Sequence, residues 1–240
     1  GAVPIAQRSA ETRGSVIGPG RESEPIEGTG GFVSAISGLR PGSAAGRNED
    51  WFYFINGVLA PVGAAQYRPG PGDHIWWDLH PWSEHFQMGA VIGAFPEPFA
   101  RGYGGKAAPT RIHFARGFEC EAGRIASRLR EGGVASVSEA PLDASGPIDV
   151  EISSPLLVGP WAALVSHPAV ADISRHWAKT GLLVEFSADG AAGRDWHGKT
   201  HRPATAAGAI LAAKSGARPG ACLWLVTGTG EVEARGAPGI

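Results

Sequence analysis

Asp50-Trp51-Phe52-Tyr53-Phe54-Ile55-Asn56-Gly57-Val58-Leu59-Ala60 is the stretch on which the fold turns. Residues 51–55 are aromatic or β-branched, the composition that strands favour. Asn-Gly follows at once and supplies the two positive-φ positions of a type I′ turn, the tightest hairpin connection. Val58 to Ala60 then reads as the returning strand. Downstream, Gly63 to Tyr67 is a short link, and Arg68-Pro69-Gly70-Pro71-Gly72-Asp73 is a turn cluster. A second strand runs from His74 to Trp82. Its alternation puts Ile75, Trp77 and Leu79 on a core face, and His74, Trp76, Asp78 and His80 on the other.

Outward from this pair the pattern thins. Residues 1–30 carry little beyond a short strand at Ala2 to Ala6 and Gly-rich loops. Phe32 to Ile36 reads as a strand, and Arg40 to Asn48 as a polar excursion. Met88 to Phe95 reads as a further buried strand, closed by Pro96-Glu97-Pro98. Residues 100–108 form a Gly-rich joint, where a domain boundary is placed.

Beyond the joint the rhythm changes. Strands are expected at Thr110 to Ala115, Val134 to Val137, Asp149 to Val158, Leu182 to Phe186, Gly208 to Ala213 and Cys222 to Val226. Helical spacing runs from Phe118 to Arg130 and stops at Gly132-Gly133; shorter helical stretches are Trp161 to Leu164 and Ala169 to Trp177. Strands alternating with helices point to an α/β sheet. The expected class is α+β, with a β-grasp-like domain over 1–105 and a small α/β domain with a mixed sheet over 106–240.

Bulk composition bounds the function. Among 240 residues, 21 are basic and 23 acidic, for a net charge of −2, so there is no electrostatic footprint for nucleic acid. Gly and Pro number 36 and 19, yet they lie between apolar runs and punctuate rather than dissolve the fold. Cys120 and Cys222 make no disulfide framework and no zinc pattern, and read as small buried hydrophobes. No apolar run reaches ~18 residues, so no membrane span is expected. The chain opens at Gly1 without Met, which reads as a processed or trimmed start with any export signal already removed.

The combination Asp50 to Val58, Gly63-Ala64-Ala65-Gln66-Tyr67 and Gly72-Asp73-His74-Ile75-Trp76-Trp77-Asp78 resembles the transcobalamin-like C-terminal domain family. This is a β-grasp module of largely unknown function in bacteria. The resemblance implies a binding role and an extracytoplasmic, secreted or surface-anchored location, because in vitamin carriers the module closes over a corrinoid. The poorly marked start, residues 1–30, departs from the family's first strand and helix. Residues 109–240 resemble C-terminal extensions of some actinobacterial members, without a known activity.

Candidate sites lie mainly on the Trp-rich strand. Tyr53, His74, Trp76 and Trp82 could form an aromatic platform for a flat ligand; the ordinary alternative is core packing. Alternate strand residues are about 6.5–7 Å apart. Asp78 and His80, with His85 beyond, could therefore reach one divalent metal such as zinc. The ordinary alternative is a polar, solvated strand face. Asp195, His197 and His201 form a weaker cluster in what reads as a loop. Thr227-Gly228-Thr229-Gly230 reads as a strand-ending turn, with no phosphate-loop pattern. Glu97 is held between two prolines but has no second carboxylate to pair with. No nucleophile–base pair is marked.

Three functions stay open. The leading one is an exported, non-catalytic binding protein for a small molecule, corrinoid-like in class, or for a cell-surface protein. The others are a divalent-metal-binding protein using the His/Asp strand face, and an enzyme with a site between the domains.

Overall fold

The computed structural model describes residues 9–11, 33–42, 48–81, 88–187, 190–195 and 197–237. Twelve strands are described: β1 Ser9–Glu11, β2 Glu49–Ile55, β3 Val58–Leu59, β4 Ile75–Pro81, β5 Thr110–Phe114, β6 Val137–Pro141, β7 Ser154–Val158, β8 Val184–Ser187, β9 Gly190–Arg194, β10 Thr200–Ala204, β11 Gly208–Lys214 and β12 Cys222–Gly228. The helices are α1 Glu119–Glu131, α2 Trp161–Leu164, α3 Pro168–Arg175, α4 Trp177–Thr180 and α5 Glu231–Gly236. The chain is α+β, with one mixed sheet and two antiparallel ones.

The first sheet has the order β1-β4-β2-β3 and is antiparallel. Asn56 and Gly57, at φ 51° and 76°, make the expected two-residue turn between β2 and β3. Register sorts the faces. Trp51 opposes Leu79, Tyr53 opposes Trp77 and Ile55 opposes Ile75 on one face; Phe54 opposes Trp76 and Phe52 opposes Asp78 on the other. Phe54 and Ile55 are both fully buried, so each face is covered at the turn end. Ala2 to Ala6, the early loops and Phe32 lie outside the described residues. Val33 to Ile36 is no strand: Ile36 and Leu39 instead bridge across a tight turn at Ser37-Gly38, both with positive φ.

Met88 to Phe95 is not a strand either. Ala90 makes one isolated bridge to Val58, Leu59 N–H donates to Gly89 C=O, and Val91 N–H donates to Gly57 C=O. Gly89 lies against Lys214 and Cys222, and Gly93 has φ 133°, which ends any ladder. Ile92 and Phe95 are 47% and 57% exposed, which a buried strand would not allow. The segment instead links the first sheet to the rest. Ala90 and Phe99 belong to the core of the second sheet, where the Phe99 and Trp224 rings meet at 5.0 Å.

That second sheet is mixed, in the order β11-β12-β7-β5-β6; β12, β7, β5 and β6 are parallel and β11 is the antiparallel edge. Both of its faces are covered. Ile112, Leu156, Val158, Trp224 and Val226 meet α1 and α5, while Leu157, Leu223 and Leu225 meet Leu164, Val170 and Ile173. Continuous apolar runs such as Cys222 to Val226 follow from that double burial. Helix α1 forms as expected: Ala122, Ala126 and Leu129 recur at helical spacing on the core side, Glu119 and Glu121 sit in the first turn, and Gly133 closes it at φ 89°.

Several boundaries moved. The strand expected at Val134 to Val137 is Val137–Pro141, because Val134 N–H closes the end of α1 on Leu129 C=O. The strand expected from Asp149 begins only at Ser154: the Asp149 carboxylate accepts from Glu151 and Ile152 N–H and curls the chain there. Of the stretch expected as loop, Gly193, Arg194, Thr200 and His201 lie in strands β9 and β10 of a third, three-stranded sheet.

Candidate functional site

The β2–β3 turn is locked from below. Asn56 is fully buried, and its carboxamide nitrogen donates to Asp73 Oδ1 at 2.8 Å and to Gly102 C=O at 2.9 Å. Its Oδ1 accepts His74 N–H at 2.9 Å. Asp73 Oδ2 accepts Tyr67 O–H and Gly70 N–H, each at 2.8 Å. Burial pushes the Asp73 carboxyl up, but donation from Gly70, Tyr67 and Asn56 and the charge of Arg101 outweigh it and hold the group below its usual range. Glu97, 4% exposed, accepts Arg101 N–H and Nε–H at 2.8 Å and Gly102 N–H at 3.1 Å. Gly72 has φ 82°, and a side chain there would run into the Arg101 guanidinium. The residues that carry the family resemblance, Asn56-Gly57, Tyr67 and Gly72-Asp73, are thus one structural knot, tied to Gly102 at the start of the Gly-rich joint.

The Trp-rich strand divides its candidates. Trp76 lies on the face of Phe54, Phe52 and Asp78. Its indole N–H is buried and has no hydrogen-bond partner. Tyr53 lies on the opposite face: its ring is 5.1 Å from that of Trp77 and its hydroxyl donates to Val62 C=O at 2.6 Å. Burial pushes the Tyr53 phenol up to about 12, and Tyr103 adds to the effect. Tyr53 therefore cannot share a platform with Trp76, because directly opposed residues of an antiparallel pair face the same way. His74 is exposed just before β4, its backbone held by Asn56. Trp82 and His85 lie outside the described residues.

The polar members of that face are not a solvated row. Asp78 is 2% exposed. Its Oδ2 lies 2.8 Å from His80 Nδ1, and the His80 ring stacks on Phe52 at 4.1 Å and 15°. The expectation that Asp78 and His80 both bind one ion is altered by this bond. A carboxylate on Nδ1 orients the imidazole and occupies that nitrogen, so Asp78 and His80 would not ligate one ion side by side; Asp78 would stand behind a His80 ligand. Among the described residues no three His, Cys, Asp or Glu side chains form a metal-holding group.

The other clusters resolve into local structure. Asp195 accepts His201 Nε2–H at 2.8 Å and the His197 and Lys199 N–H groups at 2.9 and 3.0 Å, which closes the β9–β10 turn; those donors, His201 first, hold its carboxyl below the usual range. Thr227 to Gly230 leads into the six-residue α5. Cys222 is buried, which pushes its thiol up to about 12, whereas Cys120 is exposed on α1 rather than buried. One pair had no sequence signal. Glu121, 3% exposed in the first turn of α1, accepts both Arg124 and Arg235 at 3.0 Å, and the Arg235 guanidinium covers the Phe118 ring at 4.4 Å. Residues 114 apart cannot announce such a pairing by spacing.

Among the described residues no helix is long and apolar enough to cross a membrane. No curated protein and no solved structure matches the chain. Residues 20–81, which contain the Asn56–Asp73 knot and the whole of β4, match the family described as a domain of unknown function (DUF4430), known as a transcobalamin-like domain family.

Proposed function

We propose that this chain is an exported, non-catalytic binding protein whose N-terminal module takes a flat organic ligand, corrinoid-like in class. One observation carries the reading: the Trp76 indole N–H is buried and unpartnered on the face it shares with Phe52 and the Asp78–His80 pair. A buried donor without an acceptor costs about 1–3 kcal/mol, which a ligand acceptor would return. Trp224 carries a similar unpartnered indole, but inside the core of the five-stranded sheet. Trp76 is only partly buried, beside the Ile92–Phe95 loop, whose Gly93 lies next to its ring. The family match adds support, since the resemblance is to vitamin-carrier modules.

Calorimetric titration with cobalamin and planar tetrapyrroles tests the reading. Heat with the wild type and at least tenfold weaker binding by Trp76→Phe is expected. No heat across the panel removes the corrinoid class and leaves a cell-surface protein as the alternative occupant of this face. The exported location is tested separately, by fractionating source cells with an antibody.

A second reading, a divalent metal on His80, is favoured by the Asp78–His80 bond that orients the imidazole. Elemental analysis of chain purified without chelator decides it. Zinc near one equivalent that disappears in His80→Ala supports it; metal far below one equivalent refutes it.

A further inference from the structure

Asn56 precedes Gly57, and the chain has one other asparagine, Asn48, which precedes Glu49. An asparagine before glycine is labile in an open chain, because glycine leaves its amide nitrogen unhindered beside the carboxamide. The Gly57 nitrogen, giving up its proton, attacks Asn56 Cγ. The N–Cγ bond forms, the Cγ–Nδ2 bond breaks, and Nδ2 leaves as ammonia with that proton. Water then opens the five-membered succinimide, adding hydroxyl to one carbonyl carbon and hydrogen to the ring nitrogen. Opening at the α-carbonyl gives isoaspartate; opening at Cγ gives aspartate. The fold prevents the first step. Asn56 is fully buried, its Nδ2 donates to Asp73 Oδ1 at 2.8 Å and Gly102 C=O at 2.9 Å, and its Oδ1 accepts His74 N–H at 2.9 Å. Turning Cγ toward the Gly57 nitrogen breaks all three bonds, and burial keeps bulk water from the site.

We propose that Asn56 is a modification site that the knot keeps closed: opening of the knot exposes it to conversion, and a converted chain cannot close the knot again. Aspartate puts an oxygen where Nδ2 stood, against Asp73 Oδ1 and the Gly102 carbonyl. Three acceptors then meet inside the protein without a donor, and two of them belong to carboxylates. A proton shared by the two carboxyls restores one contact and leaves the Gly102 carbonyl without its donor. Isoaspartate routes the main chain through Cβ and lengthens a two-residue turn by one methylene, which the Ile55–Val58 and Phe54–Leu59 pairing does not accommodate. The folded chain converts only through its open fraction, on the order of 10⁻³ or less. Asn56 therefore records unfolding irreversibly, at the residue that closes the first module.

Peptide-resolved mass spectrometry of the whole chain, held at pH 8.5 with and without guanidinium chloride, tests the proposal. In denaturant the Asn56 peptide should convert from amide to acid at least a hundredfold faster than in buffer, while the Asn48 peptide keeps its amide over the same time. Gly57→Ala, compared with wild type in denaturant, where folding plays no part, should convert at least tenfold more slowly. On removal of denaturant, chains sampled before conversion should regain the folded tryptophan fluorescence, and chains sampled after it should not. Equal rates with and without denaturant, an equal rate for Gly57→Ala in denaturant, or converted chains that refold like unconverted ones would each overturn the proposal.

Discussion

The carboxamide of Asn56 donates to the carboxylate of Asp73 at 2.8 Å across 17 residues of chain, and the same nitrogen reaches Gly102 C=O. One buried side chain therefore joins the β2–β3 turn, the turn cluster before β4 and the joint leading out of the first sheet. Asn56→Ala leaves these partners unsatisfied and puts a less tolerant residue at φ 51°. The expected loss is about 2–4 kcal/mol, read as an earlier transition in denaturant followed by tryptophan fluorescence. A variant within about 0.5 kcal/mol of wild type would show that the knot contributes little.

Acid should undo the same knot. The folded Asp73 carboxyl titrates below its ordinary value of about 3.9, so near that pH the unfolded chain binds more protons than the folded one. The stability it contributes is full above pH ~4 and is lost as pH falls through its folded value. Asp73→Asn should therefore be less stable than wild type at pH 7, with a gap that narrows below pH ~4. A gap that stays constant down to pH ~2 contradicts the assignment.

Trp76→Phe separates binding from folding. The change removes an unpartnered buried donor, a gain, and some apolar area, a loss. Without ligand the two offset to within about 1 kcal/mol, so the melting temperature should barely move. A steep fall would place Trp76 among the supports of the fold rather than in a binding face.

Arg235→Ala tests what holds α5 to α1. Its guanidinium leaves Glu121, which keeps Arg124 but loses its bond to the far helix. The Arg235 side chain is 39% exposed, so the expected cost is modest, about 1–2 kcal/mol, and Phe118 loses its cover as well. Glu121→Ala should cost no less, because it removes the bond to Arg124 along with the bond to Arg235. The order of the two variants in urea midpoint is the check.

Much of the architecture was legible where burial and period coincide. Cys222 to Val226, Thr110 to Phe114 and α1 stand close to where their apolar spacing puts them. The misses have physical causes. Gly190–Arg194 and Thr200–Ala204 pair as a hairpin although one is Gly-Ala-rich and the other contains Pro203, so neither carries strand composition. Met88 to Phe95 has strand composition but is caught between Val58 and the second core, and one bridge is all it forms. On the site, the spacing of Asp78 and His80 was visible; that the carboxylate binds the imidazole itself was not.

What the sequence by itself determined is local: the Asn56-Gly57 turn, which needs only two residues tolerant of positive φ, and the periodicities that assign helix and strand. The tertiary structure alone decided which of those residues are enclosed. It buried Asp78 against His80, set Tyr53 and Trp76 on opposite faces and brought Arg235 to Glu121. Each of these depends on a segment distant in the chain arriving to exclude water, and the free energy of a polar group is set by that exclusion rather than by its neighbours in sequence.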